Sequence, residues 1–85
     1  MYVIAEHNIS DAKNFWEITQ KETANLPSGL KLHQVLPNPD GSKAVCLWEA
    51  GNTEDVKKYV EQMVGKYSKN IYFPVAASNA VGLPK

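Results

Sequence analysis

His7, His33 and Cys46 are the side chains best suited to proton transfer, metal ligation or nucleophilic attack, and Trp48 and Tyr72 are the aromatics best placed to orient a ligand near them. Imidazole carries protons near neutral pH and is a common transition-metal ligand. The two histidines and the cysteine lie far apart in the chain, in no pattern that metal-binding loops use. Cys46 sits between apolar neighbours, where a thiol acts as a small buried hydrophobe more often than as a nucleophile. The chain holds no glycine-rich phosphate loop, no Ser/His/Asp set and no HExxH motif.

The elements that must position these residues follow from periodicity and punctuation. Met1 to His7 is rich in branched and aromatic residues and reads as a first strand. Ser10 or Asp11 can cap a helix running to about Ala24 or Asn25, with Ala12, Phe15, Trp16, Thr19 and Thr23 inward; Leu26-Pro27-Ser28-Gly29 ends it. Leu30 to Leu36 alternates as a second strand, and Pro37-Asn38-Pro39-Asp40-Gly41-Ser42 is a turn that joins it to a third, Ala44 to Ala50. Asn52 or Thr53 then caps a helix whose Val56, Tyr59, Val60, Met63, Val64 and Tyr67 form one apolar stripe, leaving Lys57, Lys58, Glu61, Gln62 and Lys66 to solvent. A fourth strand runs from Lys69 or Asn70 to about Ala77, with Pro74 pointing to an edge position or a bulge, and Ser78 to Lys85 forms an irregular tail.

Strand, helix, strand, strand, helix, strand is the split βαβ pattern. It predicts an α+β, ferredoxin-like βαββαβ domain over residues 1–85, with a four-stranded antiparallel sheet and both helices on one face. Alternation separates two sets of strand residues. The first, Tyr2, Ile4, Leu30, Leu32, Leu36, Val45, Leu47, Ile71, Phe73 and Val75, is large and apolar and is assigned to the helix-covered face. The second holds Val3, Ala5, His7, Lys31, His33, Val35, Ala44, Cys46, Trp48, Tyr72 and Ala76 and is assigned to the bare face. Glu6 and Glu49 then fall on the helix side or its rim, away from the histidines. A bare face that apolar is best buried by a second copy, so a homodimer through Val3, Ala5, Val35, Cys46 and Trp48 is expected.

Composition limits the function classes. Nine acidic residues balance nine basic ones, all lysine, so there is neither a cationic field for nucleic acid nor a guanidinium fork for bidentate anion recognition. A single cysteine excludes an internal disulfide, and no apolar run approaches the ~20 residues of a membrane span. A cytoplasmic protein with no nucleic-acid or membrane partner is the expectation.

At the level of pattern the whole chain resembles the dimeric α+β barrel superfamily, whose ferredoxin-like subunits pair sheet to sheet. Locally, Val45-Cys46-Leu47-Trp48-Glu49-Ala50 followed by Gly51-Asn52-Thr53-Glu54-Asp55-Val56 looks like the third-strand to second-helix passage of a small branch that includes nickel-binding proteins. The residues and the resemblance together leave three functional readings. One is a module that binds a small apolar or aromatic ligand at His7, His33, Cys46, Trp48 and Tyr72, with no cofactor. Another is a cofactor-independent monooxygenase or isomerase with His7 or His33 as base. The third is a protein holding nickel or another transition metal at the dimer interface through His7. The apolar make-up of the candidate face favours the first.

Overall fold

The computed structural model describes residues 1–84. Its elements are β1 (Tyr2–Ile9), α1 (Ala12–Glu22), β2 (Lys31–Pro37), β3 (Lys43–Glu49), α2 (Thr53–Val64) and β4 (Ser68–Pro74). The sheet order is β2-β3-β1-β4 with every neighbouring pair antiparallel, which is the ferredoxin-like arrangement. Both helices start on side-chain caps. Asp11 accepts from the amide of Asn14 and Asn52 from that of Asp55, and Glu54 and Asp55 add negative charge to the first turn of α2.

The β2–β3 turn closes through Asn38 and Lys43, with Gly41 at φ +75°, a left-handed conformation that glycine takes without strain. Trp16 reaches from α1 to this turn and donates its indole N–H to the Gly41 carbonyl at 2.9 Å. β4 is an edge strand, as the proline at its end requires.

The core lies between the helices and the sheet, and it reverses the assignment of the two faces. Val3, Ala5, Ala44, Cys46 and Trp48 are buried against Phe15 of α1 and Val56, Val60 and Val64 of α2. Thus the β1, β3 and β4 residues expected on the bare face, Val3, Ala5, His7, Ala44, Cys46, Trp48 and Tyr72, are on the covered one, whereas Leu30 and Leu32 pack on the core as expected. Tyr2, Ile4, Val45, Leu47, Ile71 and Phe73 point the other way, Ile71 and Phe73 being 61% and 44% exposed. The physical reason is room. Small strand residues let the helices approach closely, and Phe15 and the α2 valines supply the bulk from above. In β2 the alternation itself breaks: a register shift between Leu32 and Gln34 puts Leu32 and Val35 on the covered side, opposite Trp48 and Cys46, with His33 in the bulge.

Candidate functional site

The open face can be read as rows across the sheet. Strand pairing aligns Lys43, Asn8 and Lys69 in one row, then Leu36, Val45, Glu6 and Ile71, then Gln34, Leu47, Ile4 and Phe73. At the end bearing the first two rows the surface is concave. A recess of about 650 Å³ is lined by Leu36, Val45 and Ile71 with Glu6, Asn8, Lys43 and Lys69 around them. Across the rest of the face runs the C-terminal segment, whose Val75, Ala76 and Leu83 border a second recess with Ile4, Leu47 and Phe73. The Tyr2 hydroxyl donates to the Pro84 carbonyl at 3.3 Å, and Leu47, although on the open face, is only 5% exposed.

His7 and His33 do not share a face. The His7 imidazole is buried under the helices, with its ring 5.3 Å from that of Phe15 and Nδ1 2.6 Å from Asn70 Oδ1. Burial lowers its pKa below the ordinary value, and the Asn70 hydrogen bond and the Glu61 charge oppose that only in part. His33 is on the opposite side, where Nε2 lies 2.8 Å from Glu49 Oε1 and the ring packs beside Tyr2. The hydrogen bond from His33 holds the Glu49 carboxyl below the usual carboxylate range. Glu6 and Glu49, expected on the helix side, are therefore open-face residues, and Glu49 is the partner of a histidine.

Cys46 is buried in the core, and desolvation pushes its thiol up to about 12, so no thiolate is present to attack or ligate near neutral pH. Trp48 is 2% exposed, edge-on to Tyr59 at 6.0 Å, and its N–H has no hydrogen-bond partner among the described residues. Tyr72 donates to Glu61 at 2.5 Å. Its pKa is raised, first by burial and then by that carboxylate.

His7, Cys46, Trp48 and Tyr72 thus share the covered side, where they serve packing and hydrogen bonding, and of the five expected ligand residues only His7 borders the main recess. Unforeseen in the sequence was the part played by Glu61, Ser68 and Asn70. Asn70 accepts from Ser68 and donates to Glu61 at 2.8 Å each, tying α2 to β4 around His7. Glu61 falls off the apolar stripe of its helix, and the one sequence signal was that Asn70 and Tyr72, its two partners, share a face of the fourth strand.

Among the described residues no three His, Cys, Asp or Glu side chains cluster as a metal site would require. No helix among the described residues is long and apolar enough to cross a membrane. Comparison of the chain with protein-family models, with curated proteins and with solved structures gave no match.

Proposed function

We propose that this chain is a homodimeric module that pairs through the open face of its sheet and binds a small apolar or aromatic molecule in the recess of that face. One observation carries the reading: Leu36 and Ile71 stand 58% and 61% exposed around a concavity of about 650 Å³, and Phe73, 44% exposed, continues the apolar surface beside it. That volume is in the range of small-molecule pockets, and an apolar lining with a few polar groups is their usual make-up. An exposed apolar patch on a sheet left bare on one side is also what a second copy would cover, each subunit offering the same surface to the other. The arrangement matches the sheet-to-sheet pairing of the superfamily that the sequence resembles.

Native mass spectrometry of untagged protein tests both halves of the proposal, since it reports subunit number and retained ligand together. A dimer carrying a co-purified small molecule is the expected result. A monomer at micromolar concentration that binds no apolar probe would refute it. Of the two bases expected for the oxygenase or isomerase alternative, His7 is turned to Phe15 and Asn70 under the helices, and His33 is held by Glu49 outside the lining of the recess, so the geometry favours the binding module.

A further inference from the structure

Resting on the ligand-binding reading above, we infer that the occupant of the open-face recess is an amphipathic monoanion: an apolar body with one carboxylate or comparable singly charged head. The placement of charge in the recess makes the case. Lys43 and Lys69 flank Asn8 in one row, each paired directly with it across the sheet. Adjacent strands are about 4.8 Å apart, so the two lysine backbones stand roughly 10 Å from each other on either side of β1, close enough for two flexible ammonium stems to converge on one head group above Asn8.

Neither lysine is neutralised. Among the described residues the one acid–base side-chain contact within 4 Å is His33–Glu49, well away from this row. One row inward, Leu36, Val45 and Ile71 form an apolar floor for the body of the ligand.

Glu6 defines the rest of the specificity. It lies in that apolar row, between Val45 and Ile71, two residues along β1 from Asn8. Successive same-face residues of a strand are about 7 Å apart, so a ligand anchored by its head at the lysines passes Glu6 with its body. A second negative charge there would face a carboxylate, which selects against dianions; a neutral body is tolerated. The row order thus gives the recess a polarity: anion at the Asn8 end, apolar chain toward Ile4 and Phe73.

The probes are octanoate, its neutral counterpart octanamide and its dianionic counterpart octanedioate, titrated into the full chain while amide chemical shifts are followed by NMR. Octanoate should bind roughly tenfold or more tighter than either, the scale of one charge-assisted contact, with the largest shifts at Asn8, Lys43 and Lys69. The Lys43→Gln/Lys69→Gln variant should lose that preference, and Glu6→Gln should relieve the discrimination against octanedioate. These opposite effects come from exposed side chains, so a preserved spectrum of each free variant separates them from unfolding. Equal affinity for octanoate and octanamide, or a lysine double variant that keeps the preference, would overturn the head-group inference and leave the apolar-ligand reading standing. Shifts with none of the three probes would overturn both.

Discussion

The two faces of this sheet differ in a way that side-chain size alone does not reveal. The covered face is built largely from small strand residues, Val3, Ala5, Ala44 and Cys46, with one indole, Trp48, while the open face carries the larger Ile4, Leu47, Ile71 and Phe73. Bulk on a strand does not say which side a helix will cover, because the helix brings its own bulk and needs space to do so. Charge is the better discriminator. Glu6, Lys43, Glu49 and Lys69 all share the open face, whereas among the described residues the covered face of the sheet carries no Asp, Glu, Lys or Arg and buries His7 with a hydrogen-bond partner in place.

The largest effects of substitution are expected on the covered side. Trp48→Ala should destabilise the fold by about 3–5 kcal/mol, as large-to-small changes at buried aromatics do, measured by chemical denaturation. Trp48→Phe, which removes an N–H lacking a partner, should cost less. A loss on the surface scale of about 0.5 kcal/mol for Trp48→Ala would place the indole outside the core.

Acidification probes the same face. Because burial holds the His7 pKa below its ordinary value of 6.5, the unfolded chain takes up a proton that the folded chain resists. This contribution to stability is complete above pH 6.5 and is lost as pH falls below it, toward the depressed folded value. His7→Gln should flatten that part of the stability profile, and an unchanged slope would show that His7 is not the group responsible. Smaller still is the tie between α2 and β4. Tyr72→Phe removes the hydrogen bond to Glu61 and should cost about 0.5–1.5 kcal/mol, the net worth of one such bond, by thermal or urea denaturation.

Much of the architecture was legible in the sequence, because each element carries local signals that agree. The α2 stripe from Val56 to Val64, the Asn52 cap, the turn that follows Pro37 and the edge position of Pro74 stand where pattern and turn chemistry put them, while Tyr67, expected on the stripe, lies beyond the end of the helix. The candidate site was less legible. Assigning faces by hydrophobic size put His7, Cys46 and Trp48 on the wrong side of the sheet, although the parity of Glu6, Lys43 and Lys69 would have corrected it. The bulge at His33 could not be read from alternation, since one extra residue in a strand flips everything beyond it. The Ser68–Asn70–Glu61–Tyr72 network was equally hidden, because it joins residues from separate elements that only the packing of α2 on β4 brings together.

We propose a division of labour in which the covered face holds the fold together and the open face recognises other molecules. Sedimentation equilibrium and thermal unfolding of the Ile71→Asp/Phe73→Asp variant, beside the unmodified chain, test it most directly. Both residues are exposed on the open face. The account predicts a dimer for the unmodified chain at micromolar concentration and a monomer for the variant. Thermal unfolding of the two, compared at concentrations where both are monomeric, should then differ by no more than surface substitutions usually produce. A monomeric unmodified chain, a variant that stays dimeric, or a variant monomer that unfolds far below the unmodified one would contradict it.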